Sequence, residues 1–388
     1  MPTPNKTLYL DYAATTPTDP LVIEAMLPFL KGELSAGNPS SIHLLGRTAR
    51  AALDLAREQV AELIGADYAD LYFTGSGTES DNLAIIGTLF AAPPERNHLV
   101  TTTIEHHAVL HSAHFLEKMG YEVTLVPVDS FGSVSPDAIR AAINDKTALV
   151  SVMHANNEIG TVQEIAEIAR IAQERGAKFH TDAVQTAGLL PLDVNTLNCD
   201  LLTFSAHKLY GPKGAGALYI KQGTKVSPIL HGGAQEREKR AGTENVPALV
   251  GFGKAAQLAK ERREGDSERI LELRERMISR LQKSVEGLRL NGHSTHRLPN
   301  NVHISVEGVE GATLLMNLDR KGIAASSGAA CSSGSIEPSH VLKAIGLTEA
   351  LNAGGIRFTL GRQTTEADID SAVEAFAGIV QKIRARKG

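Results

Sequence analysis

Four polar clusters in this 388-residue chain carry side chains able to do chemistry. The first, Phe73-Thr-Gly-Ser-Gly-Thr-Glu-Ser-Asp-Asn82, follows a short apolar run, Leu71–Thr74, and opens a helical run, Leu83–Leu89. Glycines let the backbone turn tightly there. The exposed amides of a helix N-terminus then face outward at the positive end of the dipole, an anion cradle suited to a phosphate. Taken alone, a glycine-rich strand-to-helix turn is as often only a turn. The second, Ser205-Ala-His-Lys208-Leu-Tyr-Gly-Pro-Lys-Gly214, puts a lysine at the end of an apolar strand, where α/β proteins bind ligands. The third, Phe179-His-Thr-Asp182-Ala-Val-Gln185, and the fourth, Thr103-Ile-Glu-His106-His-Ala108, also end in polar groups.

The chemistry these types allow is specific. An amine beside a phosphate site is what a Schiff base with pyridoxal 5′-phosphate (PLP) requires. Against a merely solvated Lys208 stand its neighbours Ser205 and His207, short polar groups that could reach the same phosphate. A carboxylate beneath a pyridine nitrogen keeps that nitrogen protonated and the ring an electron sink, although an aspartate at a strand end is more often a helix cap. An imidazole can stack on a flat ring and move protons, yet lone histidines are usually structural. Four such clusters at the strand ends of one doubly wound sheet converge on one crevice, and that changes the balance.

The elements that must position them are legible from periodicity. Residues 46–64 place apolar side chains at spacings of three and four, one face of a helix. Strands are expected at Leu99–Thr103, Glu122–Val128, Ala148–His154, Lys178–Thr181, Leu201–Phe204 and Ala217–Ile220. Helices lie between several of them, such as Ile165–Arg175 and one starting at Ser135–Pro136, where serine can cap the free amides. Strand–helix alternation with continuous apolar strands reads as an α/β fold with a mostly parallel central sheet flanked by helices. Near residue 254 the character changes to a long charged helix, Lys254–Val285, weakened at Gly265–Asp266. It is read as the crossing into a smaller α+β domain with strands near Val302–Val306 and Ile356–Leu360 and a closing helix, Glu366–Ile383. The expected division is residues 15–255 as the large domain, with 1–14 and 256–388 as the small one. The Gly/Ser-rich stretch at about 326–336 is expected to be a mobile loop.

Composition narrows the class. A formal net charge of -5 without a basic cluster gives no footprint for nucleic acid. No apolar run approaches the ~20 residues of a membrane span, and the N-terminus has no signal-peptide core. Two cysteines, Cys199 and Cys331, cannot build a disulfide framework, so a reducing cytoplasm is the expected location. Cys199 reads as an inert small apolar side chain.

Taken together, GTESDN (77–82), EHHAVL (105–110), NNEIG (156–160), TDAVQ (181–185), SAHKLYGPKG (205–214), RAGTEN (240–245), SSGAAC (326–331) and IRFTLGR (356–362) resemble the cysteine desulfurases of the NifS/IscS type. These belong to the class V branch of fold-type I PLP enzymes. The likeness runs from Tyr9 to the final helix. It implies conversion of L-cysteine to L-alanine, with sulfur carried as a persulfide on Cys331 for iron–sulfur cluster assembly or another sulfur-acceptor protein. It further implies that Lys208 holds the cofactor as a Schiff base and shuttles the α-proton. Gly77, Thr78, Ser205 and His207 would bind the phosphate, joined by Thr243 from the partner subunit of a homodimer. Asp182 would pair with the ring nitrogen, Gln185 and Asn157 would contact the ring oxygen, and His106 would stack on the ring. Arg357 would clamp the substrate carboxylate, assisted by Asn38.

Other readings stay open on the sequence. Selenocysteine lysis, another class V lyase reaction or transamination would use the same scaffold; Cys331 in a Gly/Ser-rich segment is the feature a transaminase does not need. A non-catalytic docking protein for a sulfur-handling assembly is the alternative of a different class, and the intact Lys208, Asp182 and Arg357 weigh against it. Which acceptor takes the sulfur is not written in the sequence.

Overall fold

Residues in the expected strands alternate between two apolar cores, and this alternation explains the architecture. The computed structural model describes residues 7–327 and 339–386. Its central sheet has seven strands in the order Glu122–Val126, His98–Thr102, Thr147–Ser151, Lys178–Asp182, Leu201–Ser205, Gly216–Ile220 and Leu71–Thr74, counted from the opposite edge to Leu71. The first five run parallel, and Gly216–Ile220 is antiparallel to both of its neighbours. Leu99, Leu149, Leu201 and Leu218 face one core, with Leu83, Ile85 and Leu89 of helix Gly77–Ala91 and Val109 and Leu116 of helix His107–Lys118. Their immediate neighbours Val100, Val150, Leu202 and Ala217 face the other, under helices Leu44–Leu63, Ile165–Glu174 and the start of Val246–Ser284. A period of two sends successive side chains to opposite faces, and both faces are covered.

The long helix departs from expectation. It runs unbroken from Val246 to Ser284, 39 residues or about 58 Å. Asn245 caps it through the Ala248 amide. Gly265–Asp266 does not break it because neighbouring chain holds that stretch. Asp266 accepts from Arg362 Nε at 2.6 Å, and Ser267 Oγ donates to the Leu189 carbonyl at 2.6 Å. At its N-terminal end Gly253 lies so close to helix Leu44–Leu63 that a Cβ there would come within 2.7 Å of Ala56 Cα. A second core gathers around the C-terminal half of the long helix. It comprises the antiparallel strands Leu288–Leu290, Asn301–Val306 and Gly355–Thr359, and helices Gly311–Asp319 and Glu366–Ala385. Leu10 joins this core, and Leu8–Tyr9 pairs with Ile323–Ala324. The closing helix starts with a capping box between Thr365 and Asp368.

One cap expectation fails. Helix Pro136–Ala142 begins where Ser135 predicts, but the serine side chain makes no capping hydrogen bond. Proline fits the first helical position because its missing N–H would have no intrahelical partner there. Cys331 and most of the expected 326–336 loop lie outside the described residues. Cys199 is buried, and burial pushes its thiol up to about 12, as an inert side chain requires.

Candidate active site

Each polar cluster sits at a strand end on one edge of the sheet, and together they line a cleft of about 330 Å³. Strand Leu201–Ser205 ends in a single 3-10 turn, Ala206–Lys208, that turns Lys208 into the cleft. Its ammonium donates to the Ala13 carbonyl and, at 2.8 Å, to that of Ala14. The turn continues through Tyr210, whose φ of 65° is unusual for a non-glycine residue. That backbone is held by the Tyr210 amide donating to Thr16 Oγ1 at 2.8 Å and by Tyr210 Oη accepting the Arg362 amide at 2.7 Å.

The glycine-rich turn opens helix Gly77–Ala91 at the edge of the cleft. Ser76 caps helix Gly77–Ala91 by accepting the Glu79 amide at 3.1 Å, and the first amides of the helix, at Gly77 and Thr78, border the cleft. A Cβ on Gly77 would stand 2.9 Å from Val184 Cγ2, so only glycine lets the backbone pass there without a shift. Opposite lies Ser205 Oγ, buried and without a hydrogen-bond partner in the structure. An orphaned buried hydroxyl beside free helix amides fits a phosphate oxygen. His207 adds a neutral imidazole. Burial and the Lys208 charge push it down to about 4, and its Nδ1 lies 3.1 Å from Thr15 Oγ1.

Asp182 ends strand Lys178–Asp182 on the cleft wall. Its Oδ1 accepts the Val184 amide at 2.8 Å. Burial raises it to about 6, against the opposing pull of that amide and of Lys208. His106, the N-cap of helix His107–Lys118, accepts the Ala108 amide on Nδ1 at 3.1 Å, which assigns the proton of the neutral ring to Nε2. Burial, reinforced by Lys208, pushes it down to about 4, so it is uncharged at neutral pH. Gln185 Nε2 donates to the Ala13 carbonyl at 3.2 Å.

Arg357 enters from the second core, on strand Gly355–Thr359. Its guanidinium is 2% exposed and donates to the Asn157 carbonyl and to Asp11 Oδ1, both at 2.8 Å. Its backbone pairs with Ser326 in both directions. Asn157 also borders the cleft. Asn38, expected to assist the clamp, is exposed and absent from its walls; Thr243, expected to reach the cleft of a partner subunit, is exposed and lies away from this chain's own cleft. Thr243 follows Glu236–Glu238, three non-glycine residues with positive φ. A buried ion pair anchors that stretch, Arg57 meeting Glu236 through two 2.7 Å hydrogen bonds.

Sequence reasoning passed over Asp11, the Ala13 and Ala14 carbonyls, Asp81 and Glu105. The last two stood inside quoted motifs. A buried acid that faces other acids has no sequence signature apart from its neighbours in space.

A lysine, an anion cradle and a buried aspartate around one cleft at the strand ends of a mostly parallel sheet define a fold-type I PLP-dependent enzyme. The Aminotransferase class-V family model matches residues 8–372. Cysteine desulfurase IscS of Methanosarcina thermophila is 52% identical over 98% of this chain and 94% of its own length. Cysteine desulfurase IscS of Dictyoglomus turgidum is 51% identical over 97% and 95%. Among solved structures, a NifS-like protein superposes with a TM-score of 0.91 at 35% identity, covering 97% of this chain and 99% of that one. SspA in complex with cysteine gives 0.81 at 36% identity, covering 92% and 99%. The chain belongs to the class-V aminotransferase family and, within it, to the cysteine desulfurases, whose cofactor is PLP.

Proposed function

We propose that this chain converts L-cysteine to L-alanine and carries the released sulfur as a persulfide on Cys331 to an acceptor protein, an iron–sulfur scaffold or a thiolation carrier. PLP, when bound, supplies an aldehyde that captures the substrate amine and a ring that takes up the electrons of the broken Cα–H bond. Lys208 is the amine that holds this aldehyde and, once displaced by substrate, moves the Cα proton. The Gly77 and Thr78 amides, Ser205 and His207 hold the phosphate, with Thr243 of a second copy completing the cradle in a homodimer. Asp182 would pair with the ring nitrogen, His106 would pack against the ring, and Gln185 and Asn157 would contact the ring oxygen, as the residues that hold the group in place. Arg357 orients the substrate carboxylate. We place this protein in the cytoplasm; among the described residues no helix is long and apolar enough to cross a membrane.

The sulfur step falls to Cys331. Its thiolate attacks the substrate sulfur, the Cβ–Sγ bond breaks, and the carbon skeleton keeps the electron pair and takes up a proton on its way to alanine. The supporting observation is the pairing of Ser326 with Arg357. Cys331 is the fifth residue after Ser326, a reach of at most about 18 Å. The segment bearing Cys331 therefore starts from the backbone of the residue that would grip the substrate. Incubation with cysteine and PLP should yield alanine, and sulfide on reduction, with a mass gain of one sulfur atom at Cys331. Cys331→Ala should bind cysteine and lose the persulfide. Sulfide release at the unmodified rate in that variant would refute the role.

A further inference from the structure

Asp81 lies in the second turn of helix Gly77–Ala91, borders the same cleft as Asp182, and is 1% exposed. Its Oδ1 has no hydrogen-bond partner in the structure. The basic group nearest to it is His180 Nε2, at 3.7 Å, beyond hydrogen-bonding range. His180 has its own partners, Ser151 Oγ on Nδ1 at 2.8 Å and Thr203 Oγ1 on Nε2 at 3.0 Å. Burial pushes that imidazole down to about 3, so it brings no positive charge. The other charged or titratable groups facing Asp81 are Asp182 and Glu105, and burial raises both. A carboxylate enclosed this way, with an orphaned oxygen and no cation against it among the described residues, is costly to keep ionised. Asp182 differs: it holds the Val184 amide and faces the Lys208 ammonium. The two neighbouring acids are thus sorted by their surroundings into one that keeps its proton and one that gives it up.

We propose that Asp81 is a positioning residue for the cofactor: a neutral carboxylic acid that closes the cleft beside Asp182 and leaves Asp182 as the negative charge facing the ring nitrogen. An ionised second carboxylate would draw a proton onto Asp182 and weaken that pairing. An apolar residue would keep the shape and lose the polar contact with the Thr203 side chain. This rests on the cofactor reading of the cleft and not on sulfur transfer. A failed desulfurase assay with intact PLP binding would overturn the latter and leave Asp81 untouched.

The test uses the full chain. In the infrared difference between the unmodified protein and Asp81→Asn at neutral pH, the C=O stretch of a protonated carboxylic acid should be lost. Loss of carboxylate bands instead would overturn the proposal. PLP titrated into the cofactor-stripped protein should bind Asp81→Leu about tenfold more weakly, the scale of one buried hydrogen bond. Asp81→Asn should recover most of that loss. Affinity unchanged in Asp81→Leu, or Asn as weak as Leu, would also overturn it. If Asp81→Leu does not fold, the infrared comparison with Asn still decides.

Discussion

Replacing Arg357 by lysine separates charge from geometry at the substrate end of the cleft. The native guanidinium is buried and donates to the Asn157 carbonyl and to Asp11. A guanidinium presents its donors in a fixed planar fork that suits a carboxylate, a geometry a lysine ammonium cannot reproduce while still meeting Asp11. The variant should therefore lose one charge-assisted hydrogen bond to substrate, about 2–3 kcal/mol, or roughly 30- to 150-fold in affinity. The clamp grips the carboxylate equally before and during reaction, so the loss belongs in KM, with kcat little changed. Sulfide release measured against cysteine concentration gives both constants. Displacement of the PLP absorbance by L-alanine gives the affinity directly, and PLP content serves as the control. A KM within twofold of the unmodified enzyme, or a collapse of kcat at constant KM, would refute the clamp.

Lys208→Ala should abolish the visible absorbance of covalently held PLP while the phosphate cradle still retains the cofactor; a persisting band would move the role to another lysine, Lys213 being nearest in sequence. Acid should destabilise the cofactor-free fold. His154, pushed down to about 4 by burial, and His180 and His303, pushed down to about 3, stay neutral when folded but take protons near 6.5 when unfolded. Their contribution is whole above pH 6.5 and falls by about 1.4 kcal/mol per pH unit per histidine as pH drops toward 4. Glu105 opposes this: its carboxyl, raised to about 8 by burial, favours the folded state as pH falls from 8 toward 4.5. Asp182, raised to about 6, does so below pH 6. His106 and His207, at about 4, add to the loss and Asp81, raised by burial, opposes it; the histidines outnumber the acids, so stability falls between pH 6.5 and 5, read by urea denaturation at the two values. Equal stability there would contradict the burial of the imidazoles.

The strands were legible because Leu–Val pairs such as Leu99–Val100 and Leu149–Val150 are buried on both sides, a pattern that has no use outside a covered sheet. Their ends shifted by one to three residues: Ala148–His154 is strand only from Thr147 to Ser151, after which Met153 and His154 turn toward the cleft and Asp182. The site was legible wherever chemistry needs a rare residue in a rare setting, as with Lys208 after an apolar strand or glycine at 77. It was not legible where the working group is a backbone carbonyl, as at Ala13 and Ala14, since any residue supplies one. Nor did composition signal that Gly265–Asp266 would stay helical, because Arg362 and Leu189 are far away in sequence.

The division of labour between the two cores bears on why this scaffold suits sulfur transfer. The first core supplies the residues proposed to hold the cofactor, fixed at the ends of neighbouring strands. The second supplies Arg357 and, through the backbone pairing with Ser326, the root of the segment bearing Cys331. Under the proposed roles, substrate carboxylate and attacking thiol are both referenced to strand Gly355–Thr359. Any small shift of the second core against the first would then carry clamp and thiol together, preserving their separation while changing their distance to Lys208. A transaminase gains nothing from such coupling. A nucleophile that must meet a sulfur two bonds from the clamped Cα does, because error in its approach is set by one strand rather than by the interface between two cores.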